Sequence, residues 1–388
     1  MPTPDPTAPV TTAAPEPSHR NGFGLLRVLL ASSVILQHSL ALTGHIDDTF
    51  IGFRRPASIG DLAVTGFFAV SGYLLYSSAM RHPTKHYLSL RAHRLFPGFW
   101  TSLVVVAFVA APIAALVGSG DYKLVGSNSA VTFVLLNVTL VVLQHGIGDL
   151  LASNPWPTAF NGSLWSLAPE FACYLILLAA VLLARRNPGR VGTWLWLAVG
   201  GSFTVMAVVP SVLHNGLGDA LGLLAGLALA FFTGSMLSHR GLLSAPSSHA
   251  TGTAVAVLAV VVAVGLWRPF GPVVLAVALV SVGRAITSGW ASRVDKNRDL
   301  SYGIYLYHFP VIQLLVTAGV VPLTVPGALA VLAPITLALV VPIAAASWLV
   351  VEKPAQDRAR RLRRAAAQRA AAEATTTATD RAGAGQDG

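Results

Sequence analysis

Long apolar stretches alternate along the chain with short polar ones. Eleven apolar segments stand out, at residues 22–43, 58–80, 95–118, 129–145, 164–184, 191–211, 217–237, 251–267, 270–289, 301–320 and 325–351. A helix needs about 20 apolar residues to cross the hydrocarbon core of a bilayer. The segments are long and unbroken, not short and alternating, so they predict α-helices and not a β-barrel. The polar connections then sort them. Residues 81–94 (RHPTKHYLSLRAHR), 185–190 (RRNPGR), 239–240 (HR), 293–298 (RVDKNR) and the tail from Lys353 onward are basic, whereas 119–128, 212–216, 267–272 and 321–324 carry little positive charge. If the basic connections all face the cytoplasm, an even number of spans separates any two of them. Three segments lie between 94 and 185, so one does not cross. Residues 129–145 are short, contain Asn137 and run into a polar stretch at 144–163. The pattern therefore predicts an all-α, polytopic membrane protein with about ten transmembrane helices and both termini cytoplasmic. The segment at 129–145 is expected to be a short re-entrant or interfacial helix.

Composition removes the soluble alternatives. Of 388 residues, 54% are hydrophobic and 11% charged, against about a quarter charged in soluble domains. The formal net charge of +10 would suggest nucleic acid in a soluble chain. Here the arginines are divided among loops and a tail, so no nucleic-acid partner is expected and the positive-inside rule accounts for them. Cys173 is the only cysteine, which excludes an intrachain disulfide framework and a cysteine metal site; no metal is expected. Residues 1–20, rich in Pro and Thr, read as a disordered extension. Residues 21–354 form the transmembrane domain. Residues 355–388 form a basic, partly disordered tail whose AQDRARRLRRAAAQRA stretch suits an anionic leaflet. The external loop 44–57 departs from the charge rule with Arg54 and Arg55, a place where an anionic acceptor would be held.

Several polar residues interrupt the apolar segments. Arg27 and His38 share the stretch GFGLLRVLLASSVILQHSLA. Eleven residues make about three turns, so both side chains lie on one helix face, roughly 16 Å apart. Each has a structural reading, snorkelling for Arg27 and an interhelical hydrogen bond for His38, and together they mark a polar channel. In FFAVSGYLLY, Ser71 and Gly72 suit close helix approach; no G-x-S-x-G surrounds Ser71 to make it a nucleophile. In RAHRLFPG, Arg91 and Arg94 are neighbours on one helical face, fit either to clamp phosphate oxygens or to anchor the helix at the interface. In NGSLWSLAPE, Trp165 suits an aromatic belt. Glu170, about two turns into its span, needs a partner or a proton at that depth. In SYGIYLYHFP, His308 stands among Tyr302, Tyr305 and Tyr307, either a polar–aromatic packing cluster or part of a site, and Pro310 would kink the helix.

Taken in order, Arg27-x10-His38, FFAVSGY, Arg91-x-x-Arg94-Leu95-x-Pro97, NGSLWSLAPE, SYGIYLYHFP and Glu352-Lys353-Pro354 resemble the acyltransferase-3 family of membrane O-acyltransferases, in the stand-alone form without an extracytoplasmic esterase-like domain. The resemblance runs over residues 20–354. It implies transfer of an acyl group, commonly acetyl, from cytosolic acyl-CoA to a hydroxyl of a carbohydrate or glycolipid acceptor in a bacterial cell membrane. On that reading Arg91 and Arg94 hold the CoA phosphates, and Arg27 neutralises charge deeper in the donor channel. His38 is the general base or carries a covalent acyl group. Glu170 orients His38, stabilises its imidazolium or binds the acceptor. Ser71, Trp165, Tyr305 and His308 serve substrate or structure. A transporter or flippase of lipid-linked sugars, and acylation of a small product such as a macrolide, are the competing readings.

Overall fold

The computed structural model describes residues 21–51, 57–118, 127–187, 189–243, 246–287, 289–294, 299–320 and 328–362, with residues 365 and 368. The expectations for residues 1–20, for Arg54 and Arg55 and for the end of the tail lie outside these residues. Among the described residues the fold is all-α apart from a two-residue antiparallel pair, β1 (Phe50–Ile51) with β2 (Ala57–Ser58), and twelve α-helices appear in order. They are α1 (Phe23–Ala41), α2 (Ile59–Arg81), α3 (Thr84–Val105), α4 (Ala111–Gly118), α5 (Ser127–Leu136), α6 (Leu167–Arg186), α7 (Val191–Leu213), α8 (Gly216–His239), α9 (Ser248–Ala263), α10 (Trp267–Ala285), α11 (Leu300–Thr317) and α12 (Ala328–Ser347). A π-turn at Val106–Ala110 joins α3 and α4 into one rod. Among the described residues, seven helices are long and apolar enough to cross a membrane, and α9 and the apolar part of α10 are shorter. With α11, these occupy the positions of the ten expected spans, and the short α5 lies where the non-crossing segment was expected.

Two local departures from the sequence pattern matter for the site. The basic stretch 81–94 is not a loop. After Pro83, whose fixed φ separates α2 from α3, nothing from Thr84 to Arg94 breaks a helix. Arg91 and Arg94 therefore stand about 10 and 15 Å along α3 at 1.5 Å per residue, not at its end. After α5, the chain from 137 to 161 has no regular structure, and Asn137 organises its start. The Asn137 amide donates to Gln144 O at 2.7 Å and accepts from Leu143 N at 2.8 Å. Irregular backbone is tolerated at membrane depth where protein covers it. Here α11 covers it: Gln313 donates to Trp156 O and Ala159 O, and Asn154 donates to Gln313 Oε1. Pro310 has no N–H and leaves Leu306 O without its helical donor; Asn161 Nδ2 supplies one at 2.8 Å. The motif NGSLWS is thereby pinned to the middle of α11.

Packing is closest between α2 and α8. A Cβ on Gly72 would stand 1.9 Å from Phe231 O, and one on Gly234 would stand 2.2 Å from Ala69 O. The two backbones touch through these glycines, the small-residue packing used where no hydrophobic force separates helix from lipid. Ser235 Oγ adds a hydrogen bond to Gly72 O at 3.1 Å. Outward faces carry exposed Leu, Val and Phe such as Phe108, Leu143 and Val350, which the bilayer would cover.

Candidate active site

Two polar contacts join α1 to α11 along their length. Arg27 Nη2 lies 2.6 Å from Asp299 Oδ1, at the start of α11. His38 Nδ1 lies 2.7 Å from His308 Nε2. The contacts are eleven residues apart on α1 and nine on α11, so the helices run parallel in matched register. The face shared by Arg27 and His38 is the face turned to α11.

The imidazole pair has a definite proton order. His308, fully buried, places Nδ1 at 3.1 Å from Ile304 O and 2.9 Å from Tyr305 O. A carbonyl only accepts, so Nδ1 carries the proton and Nε2 of the neutral ring holds a lone pair. His38 Nδ1–H then donates to that lone pair, and His38 Nε2 is left as the acceptor. Nothing among the described residues bonds to it. The edge of His38 rests on Phe309, centroid to centroid 4.9 Å, which fixes the ring plane. The arrangement is an imidazole with an open acceptor nitrogen, oriented by a buried partner that is itself oriented by backbone carbonyls.

The arginines are shared out differently from the sequence expectation. Asp299 bridges Arg27 and Arg94, its Oδ2 lying 2.8 Å from Arg94 Nε; this second contact has the distance of an ion pair without the alignment of a hydrogen bond. Burial raises the Asp299 carboxyl, but the two guanidiniums outweigh it and hold it below the ordinary carboxylate range. Arg91 does not join this bridge. Its guanidinium lies over the Tyr87 ring at 5.9 Å, and its buried Nε has no hydrogen-bond partner. Arg91 and Arg94 are thus not an equivalent pair, and of Arg27, Arg91 and Arg94 it is Arg91 that makes no ion pair among the described residues.

Glu170 does not meet His38 among the described contacts. Its Oε1 accepts from Ser71 Oγ at 3.0 Å and from Tyr174 OH at 2.5 Å. Pinning NGSLWS to α11 starts α6 beside Tyr305 and turns Glu170 toward α2 and the arginines. A cavity of about 40 Å³ lies among Arg27, Ser71, Arg94, Glu170, Tyr302 and Tyr305. A larger one, about 160 Å³, holds Gln37, His38, Ser58, Asp61, Trp165 and Tyr305. Val64 and Tyr305 line both. Tyr305 donates to Ser163 O and accepts from Ser166 Oγ, each at 2.6 Å, so the partition is held on two sides. Trp165 faces the His38 cavity. Among the described residues no cluster of potential ligands is poised for a metal ion. Sequence reading missed Asp299, Asn161 and Asp61. The first had a signal: it precedes His308 by nine residues, nearly the interval from Arg27 to His38.

The acyltransferase-3 family profile, described as an acyltransferase domain, matches residues 20–348. The chain is 28% identical to the "O-acetyl transferase" of Shigella phage Sf6 over 302 residues, covering 76% of this chain and 86% of that protein. It is 25% identical to "Nodulation protein 10" of Rhizobium leguminosarum bv. viciae over 376 residues, 87% of this chain and 93% of that one. No solved structure matches.

Proposed function

The chain belongs to the acyltransferase-3 family and is a membrane O-acyltransferase, and from that premise we propose that it moves an acetyl group from cytosolic acetyl-CoA to a carbohydrate hydroxyl, with His38 as general base. The observation that carries this reading is the hydrogen-bond chain from the Tyr305 carbonyl through His308 to His38, which leaves Nε2 of His38 unprotonated at a cavity wall.

The reaction balances as follows. The acceptor O–H places its proton on His38 Nε2 as its oxygen attacks the thioester carbonyl carbon. The imidazolium that forms is stabilised by donating through Nδ1 to His308 Nε2. The tetrahedral intermediate expels the CoA sulfur, which takes the proton back from Nε2. An O-acyl ester and free CoA thiol leave, and His38 is neutral again. With both termini cytoplasmic, Arg27, Arg91 and Arg94 belong to the donor side, where guanidiniums match phosphate oxygens. Arg91 is available as it stands, whereas Arg27 and Arg94 are prepaired with Asp299. The thioester would pass Tyr305 from the arginine cavity to His38. Glu170 acts on the donor side through Ser71 and Tyr174 and holds α2 to α6.

His38→Ala in detergent-purified protein, followed by thiol release from acetyl-CoA, tests the assignment. A loss of about 100-fold or more in kcat is expected for a general base, with the variant still folded. Activity near the wild-type level sinks the base assignment.

A further inference from the structure

We propose that Asp61 is an acceptor-binding residue that selects polyhydroxylated rings by accepting a hydrogen bond from a hydroxyl beside the one His38 deprotonates; this rests on the acyl-transfer reading above. The His38 cavity is larger than the arginine cavity, and one of its walls is the first turn of α2. That turn is not an anion hole. Gly60 N already donates to Gln37 Oε1 at 3.0 Å. Ser58 N donates to Asp61 Oδ2 at 2.8 Å, and Asp61 N to Ser58 Oγ at 3.0 Å, a complete capping box. The cap consumes one carboxylate oxygen. Asp61 Oδ1 has no protein partner among the described residues, and the side chain lines the cavity that His38 faces. A carboxylate oxygen there accepts and does not donate, so it favours O–H groups and repels acidic ones.

The other walls fit the same ligand. Trp165 offers an apolar ring surface suited to the C–H face of a sugar, and Gln37 and Ser58 add polar edges. The cavity continues past Asp61, Thr65, Leu223 and Leu227 into a second of about 60 Å³ that reaches Trp267 and Arg268. An acceptor ring seated beside Asp61 can therefore extend along this second cavity. Tyr305 stands between the His38 cavity and the cavity of Arg27 and Arg94, which separates acceptor from donor.

The test uses full-length protein in detergent, acetyl-CoA, and three acceptor probes: methyl α-D-glucopyranoside, methyl α-D-mannopyranoside and the mono-alcohol cyclohexanol. Asp61→Asn keeps a capping oxygen but removes the charge. It is expected to raise KM for the glycosides about tenfold, the scale of one hydrogen bond to a charged group. KM for cyclohexanol and for acetyl-CoA should hold. Equal KM for the glycosides in variant and wild type overturns the proposal, as does a fall in kcat with KM unmoved. Should Asp61→Asn not fold, Trp165→Ala reads the same subsite from a separate turn. A rise in glycoside KM supports the proposal and an unchanged one overturns it. Absence of thiol release from wild type with every probe overturns the transfer reading itself, and the subsite with it.

Discussion

Replacing His308 with Phe isolates what the second imidazole contributes. The ring volume stays close, and the site is fully buried, so little packing is lost. Both ring nitrogens disappear. The Ile304 and Tyr305 carbonyls keep their helical surroundings, but His38 Nδ1–H loses its acceptor at 2.7 Å. Two consequences follow. The proton of the neutral His38 ring is no longer held on Nδ1, so Nε2 is not reserved as the base. The imidazolium formed during transfer also loses its hydrogen bond. A hydrogen bond to a charged group is worth about 1.5–3 kcal/mol, which at about 1.4 kcal/mol per decade corresponds to a fall of roughly 10- to 150-fold in kcat. KM for acetyl-CoA should not move, because His308 does not line the arginine cavity. His308→Gln offers an amide oxygen to Nδ1 and should recover most of the rate. The assay is initial thiol release at saturating acetyl-CoA, with thermal unfolding in detergent to confirm that each variant is folded. A folded His308→Phe protein with kcat within about twofold of wild type would refute the relay. Equal losses in the Phe and Gln variants would show that only packing matters.

Asp299→Asn leaves two partly buried guanidiniums without their shared carboxylate; breaking a fully buried pair costs about 3–5 kcal/mol, so part of that should appear as a drop in the thermal midpoint, and Asp299→Glu should fall between. Asp299 is held low in the folded state, so the bridge contributes its full stability above the unfolded carboxylate value of about 3.9 and loses it only as pH drops through the lower folded value. Gly72→Ala drives a methyl against Phe231 O; with backbone on both sides no rotamer relieves it, and a loss at or above about 1–3 kcal/mol is expected in the same melt. A wild-type midpoint would contradict the glycine contact. For orientation, Asn187→Cys should label with an impermeant maleimide only from the cytoplasmic side and Asp149→Cys only from outside; both positions are exposed, and the native Cys173 is buried and gives no background. Reversed labelling would overturn the proposed sidedness.

The order and number of helices were legible in the chain because a bilayer imposes one rule on every span, a long apolar run with its charges at the ends. The common face of Arg27 and His38 was legible for a similar reason, since helical periodicity is local. What that face meets was not. Asp299 and His308 lie 272 and 270 residues away from their partners on α1, and no local rule selects α11 over another helix as the neighbour. Depth along a helix suggested Glu170 for His38, but depth says nothing about azimuth. The contact was decided by Pro310, which frees Leu306 O, by Asn161, which answers it, and by the turn that then aims Glu170 at Ser71. The sharing of Asp299 between Arg27 and Arg94, and the placing of Asp61 in the cavity that His38 lines, are products of packing. Apolar periodicity sets which residues are kept from lipid; only the crossing of helices sets which polar groups, once kept from it, find one another.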